Sequence, residues 1–240
     1  MELSPIQEEF IKGKMLLFDK PLKWTSFDVV NYIRKVISPP RKKTKTGHAG
    51  TLDPLASGLL IICTGAFTKR LEEFSGLEKE YSGTITVGKT TPSYDLETEA
   101  DAFFETSHIE DPLILETASK LTGKIFQKPP PYSAKKFNGE RAYLIARRGE
   151  KTDLETVEIE IPSFKILGIN RNENLIHVDF SIVCSKGTYI RSIANDFGKL
   201  LSSGAFLSKL RRTRIGIHRV EDAFTLDTFK QQYSRNNLKT

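Results

Sequence analysis

The sequence predicts an α+β fold built on a mixed sheet. Three observations lead there. Strand-like and helix-like runs interleave irregularly, unlike the regular alternation of a doubly wound fold. Leu175–Cys184 alternates Ile176, Val178, Phe180, Ile182 and Cys184 with more polar residues, the period of a strand. Residues 59–63, Leu-Leu-Ile-Ile-Cys, form the continuous apolar run of a strand buried on both faces.

The elements follow in order. Residues 1–13 read as a poorly anchored entry segment. Residues 15–19 are a short apolar strand ending at Lys20-Pro21. Thr25 or Ser26 caps a helix from Phe27 to about Ile37, with Val29, Val30 and Ile33 on one face. Pro39-Pro40 stops it. A basic run, 41–45, precedes a glycine-rich loop over 47–58. Residues 68–74 read as a helix closed by Gly76. Residues 81–87 alternate Tyr81, Gly83, Ile85 and Val87 with Ser82, Thr84 and Thr86, a strand with one wet face. A polar loop over 90–99 holds Asp95. Asp111-Pro112 opens a helix that runs to Leu121, with Gly123 as its stop. Residues 127–139, with three prolines and a glycine among basic and aromatic groups, read as a projecting, semi-stiff loop. A short helix over 142–148 and strands over 157–161 and 164–169 precede Leu175–Cys184. Lys186-Gly187-Thr188-Tyr189-Ile190-Arg191 then leads into a helix from about Ser192 to Leu201. Tyr189 and Arg191 therefore sit at a strand-to-helix junction, a common place for site residues. One short amphipathic helix lies within 222–240.

Composition bounds the function. The 240 residues carry 36 Lys and Arg against 30 Asp and Glu, a net charge of +6. The excess is moderate, so its clustering matters more than its total. Cations gather at 41–45, 135–136, 147–148 and 211–214, patches suited to phosphate contacts. The two cysteines, Cys63 and Cys184, lie in apolar runs and read as small buried hydrophobes. Neither stands at disulfide-framework or metal-ligand spacing, so no metal is expected. The start of the chain lacks a signal-peptide layout, and no apolar run reaches the length of a membrane span. A reducing cytoplasm is the expected setting.

The most informative stretch is Gly47-His48-Ala49-Gly50-Thr51-Leu52-Asp53-Pro54-Leu55-Ala56-Ser57-Gly58. It presents one carboxylate among small, conformationally free residues. Pro54 biases Asp53 towards extended backbone. A lone acid beside a dense positive run suggests a carboxylate working on a polyanion. The plainer alternative is a solvated Asp-Pro turn.

Together with Asp19-Lys20-Pro21, Glu80-Tyr81, residues 127–139, Arg147-Arg148-Gly149, Lys186 to Arg191 and Leu210-Arg211-Arg212, this loop resembles, in order, the bacterial TruB-type tRNA pseudouridine synthases. The match runs from about Met15 to Gly216. The resemblance implies a mostly antiparallel central sheet flanked by helices, an active-site cleft and a thumb-like insertion at about 127–149. It places a catalytic domain at 14–216 and a short tail at 217–240 without the full RNA-binding PUA domain of many relatives. It implies conversion of uridine to pseudouridine at position 55 in the T-loop of tRNA, with no cofactor. Asp53 matches the catalytic aspartate, Tyr81 the tyrosine that stacks on the base, and Arg191 the arginine that pairs with the carboxylate. His48 matches a histidine that organises the flipped nucleotide. Lys20 and Pro21 match a motif bordering the cleft, Asp95 a polar contact to displaced nucleotides, Tyr189 the tyrosine beside Arg191, and Leu210 an apolar residue under the base. Lys43, Lys135 and Arg147 are expected RNA contacts. The expected partner is the tRNA T-arm alone, bound by a monomer with no protein or guide-RNA helper and no membrane.

The chemistry explains the residue types. The C1′–N1 bond breaks, the uracil rotates, and C1′ joins C5, with no net oxidation and no water consumed. One ionised carboxylate serves as nucleophile or base. Extruding the base costs a few kcal/mol, and an aromatic platform returns about 1–3 kcal/mol. Two competing readings are a non-catalytic tRNA-binding or folding factor on the same scaffold and a guide-RNA-dependent synthase.

Overall fold

Capping residues and apolar periodicity set the elements. The computed structural model describes residues 3–39 and 43–233. In chain order these form α1 (Pro5–Lys12), β1 (Met15–Lys20), α2 (Ser26–Ile37), β2 (Thr46–Ala49), β3 (Ala56–Thr64), α3 (Leu71–Gly76) and β4 (Lys79–Val87). Then come β5 (Lys89–Thr90), β6 (Ala102–Phe103), α4 (Asp111–Lys120), β7 (Gly123–Gln127), β8 (Lys136–Phe137), β9 (Glu140–Arg141) and α5 (Ala142–Arg147). Last are β10 (Val157–Ile161), β11 (Ser163–Asn172), β12 (Leu175–Cys184), α6 (Ile190–Leu200), β13 (Ala205–Ile215), β14 (His218–Arg219) and α7 (Leu226–Tyr233). Residues 41 and 42 of the basic run lie outside the described residues, as do 234–240 of the tail.

The chain divides into two compact units, one of residues 1–79 and 211–240, the other of 80–210. In the first, β3 lies between β1 and the last residues of β13, with β2 also paired to β3. The β1–β3 and β2–β3 ladders are antiparallel. Of the two caps the sequence offers, Thr25 is the one used, through a capping box with Asp28 that the sequence reading did not name, and α2 starts at Ser26. The helix packs Val29, Val30, Ile33 and Ile37 onto Phe18, Leu60, Ile62 and Phe229. The entry segment is not loose. Ser4 and Gln7 form a capping box at the start of α1, and Phe10 is buried edge-on to Phe229 and Tyr233. Three apolar residues, Ile6, Phe10 and Ile11, in two turns are too short a pattern to give a period in sequence.

In the second unit β4 neighbours the first half of β13 on one side and β12 on the other, and β11 completes this run. The β11–β12 ladder is antiparallel, with a bulge between Ile166 and Gly168. The face of β4 expected to be wet is covered. Thr84 donates to Asp179 at 2.6 Å, and Thr86 bonds His177 at 3.0 Å and Ser208 at 2.9 Å. Paired hydroxyls let a threonine face be buried. The expected projecting loop is also corrected. Gln127, Pro129, Pro130 and Ser133 are buried, and only the β8–β9 hairpin beyond them stands out. The glycine-rich loop is shorter than expected, because β2 and β3 take both its flanks and leave a turn over 50–55. Cys63 and Cys184 are both buried, and neither forms a disulfide. Among the described residues, no helix is long and apolar enough to cross a membrane.

Candidate active site

In the first unit the turn carrying Asp53 is held from three directions. The Ser26 hydroxyl, on the first residue of α2, donates to the Leu52 carbonyl at 3.1 Å and accepts from the Leu52 amide at 2.9 Å. The Lys23 amide donates to the Pro54 carbonyl at 2.7 Å. Below, the Arg212 guanidinium donates through Nε to Leu59 at 2.7 Å and through Nη2 to Gly50 at 3.0 Å. These carbonyls flank the turn on either side. Gly58, at φ +105°, lets the two backbones close up, since a Cβ there would overlap the Arg212 backbone. Asp53 itself is half-buried.

Arg212 is only 1 % exposed. The basic cluster at 211–214 is therefore not the phosphate-contact surface its composition suggested. Arg211 pairs with Asp19 through two bonds, at 3.0 and 2.7 Å, and Arg214 pairs with Glu78 at 2.9 Å. A strand rich in cations hid both β13 and the burial of its central arginine.

Lys20 is fully buried, and its Nζ donates to the carbonyls of Pro21 at 3.1 Å and Trp24 at 2.6 Å. Burial pulls the ammonium down to about 8; Asp53 opposes this and Arg212 adds to it. The three charges thus lie within electrostatic reach in one unit, with Pro21 tied in through its carbonyl. His48, on β2, has a buried Nδ1 with no hydrogen-bond partner among the described residues. Burial, and secondarily the Arg212 charge, holds its imidazole below the usual histidine range. Lys43 is exposed.

In the second unit Arg191 lies in the first turn of α6 and is buried. Its Nη1 donates to the Ser93 carbonyl at 3.2 Å and its Nη2 to the Tyr132 carbonyl at 3.1 Å, while Nε lies 3.6 Å from Asp95 Oδ2. Asp95, also buried, accepts the Glu97 amide at 2.9 Å. Arg191 and Asp95 therefore tie the loop around 93–97 to that around 132. Gln127 clasps Tyr189 by donating to its carbonyl at 3.1 Å and accepting its amide at 2.8 Å. Tyr81 lies buried on β4 with 8 % of its surface exposed, and Leu210 is half-buried on β13. Arg147 is paired with Glu97 at 2.8 Å, and Lys135 is half-buried ahead of β8. Ser26, Gln127 and the burial of Arg212 escaped the sequence reading. Only the proximity of Ser26 to a helix start gave any signal. Among the described residues no cluster of three His, Cys, Asp or Glu side chains could hold a metal ion.

Comparison with known proteins bears on both sets. A family model described as "TruB family pseudouridylate synthase (N terminal domain)" matches residues 35–190, and one described as "tRNA pseudouridylate synthase B C-terminal domain" matches 191–240. The chain is 52% identical over 229 residues to tRNA pseudouridine synthase B of Flavobacterium johnsoniae, covering 93% of this chain and 97% of that one. It is 48% identical over 232 residues to the protein of the same name in Phocaeicola vulgatus, covering 96% and 97%. Among solved structures, a chain of a Cbf5-Nop10-Gar1 complex aligns with a TM-score of 0.69 at 25% identity over 95% of this chain. The present chain spans 57% of that chain's length.

Proposed function

The chain belongs to the TruB family of pseudouridylate synthases and isomerises uridine to pseudouridine in tRNA, and we propose that its target is position 55 of the T-loop, flipped out so that Asp53 acts on it. The observation that carries this reading is the Asp53 turn. It is clamped by Ser26, Lys23 and Arg212 and stands over two buried cations, Lys20 and Arg212. A carboxylate that must act at one atom of a mobile nucleotide needs such a fixed support. A solvated Asp-Pro turn needs none of it.

Asp53 serves as the nucleophile or base. Tyr81 supplies the stacking face, and Arg191 pairs with the carboxylate. His48, kept neutral, fills the space the base leaves. Arg191 and Tyr189 are held by Asp95 and Gln127 in a pre-set geometry. Leu210 supports the base from below, and Lys43, Lys135 and Arg147 contact phosphates. The enzyme works in the cytoplasm as a monomer, without a helper.

An unmodified T-arm stem-loop tests this directly. The wild type should form pseudouridine on it with nothing added. Asp53→Asn should bind the same RNA with unchanged affinity and form none. A wild type that binds without forming pseudouridine would favour the binding-factor reading.

A further inference from the structure

The first unit contains a groove of which the reading above uses only the Lys23 backbone and, as a phosphate contact, Lys43. It runs along α2 from Lys23 to Lys43, has a volume of about 700 Å³, and is lined by Lys23, Trp24, Tyr32, Arg34, Lys35 and Lys43 among others. We propose that this groove is a second RNA site, which holds a stretch of the tRNA lying beyond the reacting T-arm. The inference rests on the tRNA reading above and extends it to a separate surface.

Charge is the first argument. The groove gathers four cations against one carboxylate, Asp28. That carboxylate is already committed. It accepts from the Thr25 hydroxyl at 2.7 Å and amide at 2.9 Å, bonds that hold it below the usual carboxylate range. Among the described residues, Lys23, Lys35 and Lys43 make no ion pair. Elsewhere several arginines of the basic clusters pair with local carboxylates: Arg148 with Glu140 and Glu150, Arg211 with Asp19, Arg214 with Glu78. Unmatched positive charge is what a phosphate backbone recruits.

Shape and continuity are the second. Trp24 and Tyr32 meet edge to face at 6.1 Å, and the Tyr32 hydroxyl is anchored on the Leu226 carbonyl at 2.9 Å. Arg34 is braced by Asn31 and by the Thr46 carbonyl. Fixed rings between lysines suit an unpaired base with its flanking phosphates better than an acidic peptide, which would have no use for the rings. The groove also shares residues with the support of the catalytic turn. The Lys23 amide bonds Pro54, and the Trp24 carbonyl accepts from Lys20. Lys23 thus both holds the Asp53 turn through its amide and lines this groove, which joins the two on the first unit.

Lys35 is exposed on α2 and takes no part in holding the Asp53 turn, so it makes the cleanest probe. Binding of full-length unmodified tRNA and of the T-arm stem-loop is measured by fluorescence anisotropy across a salt series, for the wild type, Lys35→Gln and Lys35→Glu. Pseudouridine formation on the stem-loop is followed alongside. For full-length tRNA, Lys35→Gln should weaken binding about fivefold at 0.1 M salt and lower the log–log salt slope by about 0.7–0.9, with Lys35→Glu weaker still. Stem-loop affinity and turnover should not change. Equal losses for both RNAs, or no loss for either, would overturn the proposal. So would an unchanged salt slope. A wild type inactive on the stem-loop would instead sink the catalytic reading, a separate outcome.

Discussion

Replacing Arg212 with methionine removes the support under the Asp53 turn while leaving a side chain of similar length. Two carbonyls lose their donor: Leu59, bonded at 2.7 Å, and Gly50, at 3.0 Å. An orphaned buried acceptor costs about 1–3 kcal/mol, so the pair predicts a loss of about 4 kcal/mol. Little of it should come from a cavity, because methionine refills the volume of the aliphatic stem. The next residue supplies the control. Arg211 is partly exposed and pairs with Asp19, so Arg211→Met should cost about 1 kcal/mol or less. Urea unfolding of both variants measures the difference, and turnover on the T-arm stem-loop measures whether the turn has loosened. Arg212→Met should lose turnover even at temperatures where it stays folded. If its unfolding free energy falls within 1 kcal/mol of that of Arg211→Met and its turnover is intact, the support argument is wrong.

Two further outcomes follow from neighbouring residues. Lys20 has a folded-state pKa of about 8 against 10.5 when unfolded, so the unfolded chain binds more protons between these values. The lysine's contribution to stability therefore rises with pH across that window. Unfolding free energies at pH 7.5 and pH 10 should show the wild type gaining about 2 kcal/mol relative to Lys20→Met; equal pH slopes would refute it. Gly58→Ala should destabilise by about 3 kcal/mol or more, since φ is +105° and the added Cβ would lie under 3.0 Å from the Arg212 backbone. A thermal midpoint within a few degrees of wild type would contradict the close approach of β3 and β13.

Much of the site was legible because its signals are local. The Thr25 cap and the alternation of Leu175–Cys184 each act over a few residues, and the structure follows them, while the glycines and proline around Asp53 mark a turn shorter than the loop expected. The failures share one cause. Whether a cation lies in water or in the core is decided by partners far along the chain. Arg212 looked like surface charge because its acceptors, Leu59 and Gly50, lie about 150 residues away. Thr84 and Thr86 looked wet because the groups that satisfy them, on Asp179, His177 and Ser208, are also remote, 91 to 122 residues along the chain. The helix at Pro5–Lys12 was missed for another reason: its capping box is local, but Ile6, Phe10 and Ile11 span too few turns to show a clear period.

The unit that carries Asp53 joins residues 1–79 to residues 211–240, with 80–210 inserted between them in sequence. A nascent polypeptide that has not yet delivered Arg212 and Phe229 has neither the guanidinium beneath the turn nor the aromatic that closes the core beside α2. Closing so long a loop is entropically costly and slow, and it must wait until residues 80–210 have been made. Organisation of the aspartate therefore waits on residues more than 150 positions further along the chain, and a polypeptide that stops short of Arg212 has no fixed turn to offer RNA.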